Sequence, residues 1–273
     1  MNKLFLSLFS IFVCTLYGQS TKFVYSYLSI SDSTDINSKN EDTMLLTISN
    51  DKSYFYSQEK FSKDSLRFEN EKKGIMEPLK NKIRYTDRII KFSNTSEIVY
   101  LSTIGINTYF IQQNINLKWD LKQEFDLMLG YKVQKATTEF GGRQWEAWFS
   151  QELPFQDGPY KFNGLPGLIF RIEDVQKYHI FQLVEINKND KNFYYPDEDS
   201  FTDYPKININ QYIKQFRNFR ENPIADLIGK IPDQIDQNGN LKSGNEILNE
   251  VRRKEVERLK KDNNIIEINL LKK

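Results

Sequence analysis

The acidic side chains that could form a catalytic pair gather mid-chain, at Glu146, Glu152, Asp157, Glu173 and Asp174. Two carboxyls facing each other across a cleft are what glycoside hydrolysis needs, one as acid and the other as nucleophile or base. The chain has 37 Asp and Glu in all, so such groupings arise by chance, and exposed strand-end charges are the default reading. The single histidine, His179, stands in Lys177-Tyr178-His179-Ile180-Phe181. One histidine cannot hold zinc without further ligands, and the only cysteine is Cys14, near the N-terminus. A serine nucleophile would need an elbow of the G-x-S-x-G kind, which is absent. His179 therefore reads as an exposed or core-edge strand residue.

Asp233 to Asn240 has the composition of a calcium loop but not its register. With Gly239 at the sixth position, Gln234 takes the first and Asn245 the twelfth, where Asp and Glu belong. Asn238-Gly239 is read instead as a tight turn. Glycine-rich phosphate cradles are also absent. No metal and no cofactor are expected.

Aromatic residues are the remaining constellation: Trp119, Trp145, Trp148, Phe155, Tyr160 and Phe162. They are either the core of a sheet or the lining of a binding face, and Trp145, Trp148, Tyr160 and Phe162 are the binding candidates. Trp145 and Trp148 differ by three, so in one strand they point to opposite faces.

Between these aromatics and the acids lies Asp157-Gly158-Pro159-Tyr160-Lys161-Phe162-Asn163-Gly164-Leu165-Pro166-Gly167-Leu168-Ile169. Leu165, before a proline, is pushed into extended backbone. Gly164 and Gly167 supply positive φ or an approach that a side chain would block. The stretch reads first as a fold device feeding a buried strand, with a ligand or partner loop as the other reading.

The elements that must position these residues are mostly strands. From Lys22 to Lys188, Phe23, Tyr25 and Tyr27 alternate on one face, followed by Met44, Leu46 and Ile48, then Tyr54 and Tyr56. Ile83 to Tyr85, Ile98 to Leu101 and Thr108 to Ile111 predict three more strands. The stretches 118–125, 130–136, 145–149, 168–173 and 178–186 continue the alternation, with a hairpin at Gly141-Gly142. No helical period is visible between these strands, which points to an antiparallel meander. Ile209, Tyr212, Ile213, Phe216 and Phe219 then predict an amphipathic helix over 209–220, ended by Asn222-Pro223. Ser243 to Glu246 predicts a capping box opening a second helix to about Lys261, and Ile265 to Leu271 reads as a last strand.

The first residues, MNKLFLSLFSIFVCTLYGQS, have one early lysine and an apolar run from Leu4 to Leu16. That is the length of a signal-peptide core and too short to span a bilayer, so cleavage after Gly18 is expected. The expected organisation is a signal peptide over 1–18, an antiparallel β domain over 19–192 and a C-terminal helical extension over 193–273. Loss of the leader would remove the only thiol. A net charge of +1 gives no field favouring nucleic acid. The 14% aromatic content suits sheet better than bundle.

Residues 157–169 resemble the signature of the GLPGLI family, exported and largely uncharacterised proteins of Bacteroidota. The resemblance extends upstream through Gly130 to Thr138, Gly142 to Phe149 and Leu153-Pro154, and downstream through Ile172-Glu173-Asp174. Many members carry Cys where Val133 stands, so nothing depending on that thiol transfers. Membership implies export to the periplasm, outer membrane or medium and a β-rich fold, without an established activity. The run of strands followed by a helix is similar to open half-barrels of periplasmic lipoprotein carriers and to bowl-shaped domains that precede some secreted glycan-cleaving enzymes. The expected fold is a meander curled into an open half-barrel or bowl with helices packed on it. The expected function is a non-catalytic exported binding or accessory module. Its partner would be an apolar small molecule or, as the family implies, an outer-membrane TonB-dependent receptor. The alternative is a hydrolase of glycans or peptides using Glu146, Glu152, Asp157 or Glu173.

Overall fold

Phe23, Tyr25 and Tyr27 alternate with less buried neighbours, and this period-two run forms β1 (Ser20–Ile30) at the centre of the sheet. The computed structural model describes residues 20–75, 83–189, 193–235 and 239–272, so the apolar run Leu4 to Leu16, Cys14 and the Gly18-Gln19 junction lie outside the described residues. After β1 come β2 (Lys39–Ser49), β3 (Lys52–Ser57), the helix α1 (Gln58–Lys72), β4 (Arg88–Phe92), β5 (Glu97–Ile104) and β6 (Asn107–Asn114). A second series follows: β7 (Asp120–Met128), β8 (Tyr131–Phe140), β9 (Arg143–Ser150), β10 (Leu168–Asp174) and β11 (His179–Asn189). Each series is an antiparallel meander, and β1 pairs with β11 to join them side by side. Lys206–Ile207 (β12) adds one parallel pairing on β6, so the described sheet of 12 strands is mixed.

The connection between the meanders constrains the shape. β6 and β7 stand 10 steps apart in the strand order, which would be about 48 Å in a flat sheet at about 4.8 Å per step. Only residues 115–119 join them, a link that reaches about 20 Å when extended. The sheet must therefore curve strongly, yet β7 and β12 remain its edges and it does not close into a barrel.

Both faces of the first meander are covered. On the first face Phe23, Tyr25, Leu46, Phe55, Ile89, Ile98 and Ile111 join Trp145, Phe149 and Ile172 in one buried cluster. Lying on it are α2 (Ile209–Glu221), which buries Tyr212, and the turn Ile268–Leu271. On the second face Tyr54, Tyr56, Ile90, Val99 and Leu101 pack with Tyr195 and Phe201, and α1 contacts β2 and β3 there. A third helix, α3 (Gly244–Lys260), opens with the expected capping box of Ser243 and Glu246.

Three expectations fail. Ile83 to Tyr85 forms no strand; the strand begins at Arg88, after a coil carrying Asp87. Ile265 to Leu271 is not a strand but ends in a 3₁₀ turn, with Asn269 N donating to Gly141 O at 3.1 Å. And α1 interrupts the strands where no helical period is visible. Its inward face sets one aromatic, Phe61, beside a buried charge instead of a continuous apolar stripe. Asp64, 3% exposed, accepts from Lys60 Nζ at 2.6 Å and from Tyr195 Oη at 2.8 Å. Part of the calcium-like stretch, residues 236–238, lies outside the described residues.

Candidate functional site

Residues 151–167 leave β9 and return to β10 across the first face, carrying the glycine- and proline-rich motif. Several side chains from other elements tie the loop down between Asp157 and Asn163. Lys91 of β4 forms an ion pair with Asp157 and donates to Gly158 O at 2.5 Å and Tyr160 O at 3.1 Å. Trp119 Nε1 donates to Asn163 O at 2.8 Å, and Tyr25 Oη to Ile169 O at 2.6 Å. Tyr160 Oη and Lys161 Nζ both donate to Glu267, at 2.7 and 2.5 Å. The Lys161 ammonium also sits 4.0 Å from the Tyr100 ring centre. Burial lowers the Lys91 pKa, and the Asp157 carboxylate works against that shift.

Within the loop, Gly158, Pro159, Leu165, Gly167, Leu168 and Ile169 are buried, while Gly164 and Pro166 are exposed. Gly167 N donates to Leu165 O at 2.8 Å, closing a tight turn around Pro166. Gly164 holds φ of 86° in open surroundings. At Gly167 the requirement is close approach: a Cβ there would land on the Ser150 carbonyl, nearer than side chains ever come.

Of the expected binding aromatics, only Tyr160 borders a cavity. Trp145 and Phe162 are fully buried and pack on each other at 4.7 Å between ring centres. Trp148 points to the opposite face, half-buried beside Lys135. The four candidate acids do not face one another across a cleft. Glu146 and Glu173 are opposed in the β9–β10 register, so they stand side by side rather than on opposing walls. Lys135 pairs with Glu146 at 3.3 Å and Arg171 with Glu173 at 2.6 Å. Glu152 accepts from Lys132 N at 2.9 Å, and Asp157 is held by Lys91. None of the four lines the cavity described next. Among the described residues no group of three His, Cys, Asp or Glu is placed to hold a metal ion.

The cavity, about 270 Å³, lies between the first face of the sheet, the motif loop, α2 and the C-terminal segment. Met44, Phe55, Ile89 and Phe181 form its apolar wall. Tyr27, Tyr85, Tyr100 and Tyr212 bring phenols to it, together with the carboxylates of Asp87 and Glu267. Tyr100 Oη donates to Asp87 Oδ2 at 2.6 Å, and Tyr212 Oη lies 3.2 Å from Ser102 Oγ. Burial raises the Asp87 pKa, against the hydrogen bonds from Tyr100 and Ser102 and the charge of Lys161. Burial also pushes the Tyr85 phenol up to about 12. Sequence reasoning missed this site. Asp87 is one acid among 37, two residues past the stretch Ile83 to Tyr85 read as a strand, and nothing local marks it as lining a cavity.

His179 also borders the cavity, and it is buried rather than exposed or at the core edge, with 2% of its surface accessible. Its Nδ1 lies 2.8 Å from Tyr27 Oη, which satisfies one ring nitrogen. Burial first, then the Arg143 guanidinium, pushes its pKa down to about 3. An unfolded chain protonates this ring below about pH 6.5, whereas the fold resists it, so stability is lost as pH falls through that window, at up to about 1.4 kcal/mol per pH unit. Asp87 and Asp174, whose pKa values burial raises, act in the opposite sense above about pH 3.9. Comparing wild type with His179→Gln isolates the histidine. The variant is expected to be less stable at pH 7.5, with the gap narrowing by about 2 kcal/mol at pH 5. Urea unfolding at the two pH values measures it; a gap independent of pH excludes the neutral buried imidazole.

Residues 132–171 match a protein family described as "Protein of unknown function (Porph_ging)". That region runs from β8 through the motif loop into β10. No curated protein sequence matches the chain. Among the solved structures that resemble it are two of PNGF-II, one in the P21 and one in the C2 space group. The first has a TM-score of 0.53 at 14% identity, covering 74% of this chain and 34% of that one. The second has a TM-score of 0.52 at 15% identity, covering 74% of this chain and 33% of that one. The chain thus spans about a third of the length of the structures it matches, and at such identity the likeness concerns the fold alone. Among the described residues no helix is long and apolar enough to cross a membrane.

Proposed function

We propose that this chain is a non-catalytic exported binding module whose ligand occupies the cavity beneath α2 and the C-terminal segment. The observation that carries the reading is the cavity itself. An engineered apolar cavity of about 150 Å³ suffices for benzene, and this one, at about 270 Å³, is larger and partly polar. Pockets of mostly apolar lining with a few convergent polar groups are the usual form of small-molecule sites. The curved sheet is taken as an open half-barrel. The short β6–β7 link and the single buried cluster joining β5 and β6 to β8 and β9 support that shape. Resemblance of residues 157–169 to the GLPGLI signature, with the apolar run after Lys3, supports export. An outer-membrane receptor as partner rests on that resemblance alone.

In this reading the motif loop is a wall rather than a catalytic turn. Tyr160 of the loop and Glu267 of the C-terminal segment both border the cavity, and their hydrogen bond ties the two walls together. Thr86, half-buried and lining the cavity just before β4, is the position to block. Indole, neutral and small enough to enter, is expected to bind the wild type and to lose at least about tenfold in affinity against Thr86→Trp. Calorimetric titration of the two proteins, with melting curves to confirm the fold, checks this. Equal indole binding by both would place the ligand elsewhere.

A further inference from the structure

Three carboxylates line the cavity, Asp87, Asp262 and Glu267, and among the described residues only Asp87 forms no ion pair. Glu267 is engaged by Lys161 Nζ at 2.5 Å and Tyr160 Oη at 2.7 Å. On the side towards α2 and α3, Arg220 lies 3.6 Å and Arg258 3.8 Å from Asp262, and Arg258 lies 2.8 Å from Glu255. Asp87 differs. Its Oδ2 accepts a hydrogen bond from the neutral Tyr100 phenol, and among the described residues no lysine or arginine stands within ion-pair distance of it. Lys161, the cation that acts on it, is already committed to Glu267.

A ligand that fills the cavity strips water from this carboxylate. A neutral ligand leaves this carboxylate with hydrogen bonds but no opposite charge, which is costly in a partly apolar space. A protonated amine replaces the lost water with a charge-assisted hydrogen bond. Tyr212 also lines the space, its ring meeting that of Tyr100 edge-on at 5.6 Å between centres, and cations are drawn to aromatic rings. Beyond them Phe55 and Phe181, packed edge to face on each other at 5.8 Å between centres, form an apolar wall against which an aryl or alkyl body can lie.

We infer that the cavity selects a small organic cation, an aryl-alkyl or alkyl amine whose ammonium pairs with Asp87. The inference rests on the binding reading above and adds the ligand class to it. A carboxylate ligand attracted by Arg84, Arg220 and Arg258 is the competing outcome, disfavoured because Asp262 already stands between two of those arginines.

The test uses the full chain at pH 7.5 with three probes of one shape: 2-phenylethylamine, 2-phenylethanol and 3-phenylpropanoate. Calorimetric titration is expected to show the amine tightest, by at least about tenfold, equal to about 1.4 kcal/mol. Asp87→Asn, with an unchanged circular dichroism spectrum, is expected to remove that preference while the alcohol binds as before. The wild-type comparison stands even if the variant folds poorly. Equal affinity for amine and alcohol overturns the amine assignment and leaves the cavity reading intact. Tightest binding by 3-phenylpropanoate overturns it in favour of the arginines. An amine preference that survives Asp87→Asn overturns the role of Asp87. If neither indole nor any of these probes binds, both the cavity reading and this inference fall.

Discussion

Gly167→Ala is expected to destabilise the chain by about 3 kcal/mol or more, far beyond the effect of Gly164→Ala three residues earlier. A Cβ on Gly167 would meet the Ser150 carbonyl oxygen and carbon and then Gln151 N, all backbone atoms at the end of β9. Backbone in a paired strand cannot swing aside as the tip of a flexible side chain can. The loop or the strand end must move, and overpacking of this kind typically costs about 1–3 kcal/mol, with backbone strain adding to it. At Gly164 the φ of 86° is unfavourable for alanine, but the nearest atom, Trp119 Nε1, is 3.9 Å from the added carbon. That variant should lose only about 1–2 kcal/mol, the ordinary cost of a left-handed residue. Chemical denaturation of the three proteins ranks them. If Gly167→Ala proves no worse than Gly164→Ala, the close approach to Ser150 is not what requires glycine there.

Lys161→Met is expected to be of comparable severity through a different mechanism. Lys161 is 1% exposed and Glu267 is 9% exposed, so the variant leaves a carboxylate buried with a single phenol for company. Removing one member of a buried pair typically costs about 3–5 kcal/mol, a large part of a domain's total of about 5–15 kcal/mol. The double variant Lys161→Met with Glu267→Gln removes the stranded charge and should recover part of the loss. Urea unfolding of wild type, both single variants and the double variant gives the coupling directly. Additive losses, with no recovery, would show that the ammonium serves packing against Tyr100 rather than Glu267.

The strands were legible because alternation is a local property. Phe23, Tyr25, Tyr27 and Trp145, Ala147, Phe149 are each buried on one face as their spacing predicts. So were α2, from its stripe of Ile209, Tyr212, Ile213 and Phe216, and the start of α3, from Ser243 and Glu246. The motif's tight turn followed from Pro166 and its flanking glycines, and Leu165 and Leu168 are buried beside it. α1 was hidden because its most buried residue is Asp64, whose burial depends on Lys60 in the same helix but also on Tyr195, 131 residues away.

The candidate site is tertiary throughout. Asp87 meets Tyr100, Tyr27 meets His179 and Lys161 meets Glu267, the last two at separations of 152 and 106 residues. No periodicity within a window of a dozen residues encodes such meetings. They arise only when the sheet, drawn round by the short link at residues 115–119, brings β4 and β5, the motif loop and the C-terminal segment to one space. By itself the sequence determined most of the strands, the helix α2, the start of α3 and where the motif turns tightly, but not α1. The tertiary structure decided which carboxylates face water and which are enclosed, because burial and charge compensation are set by distant neighbours.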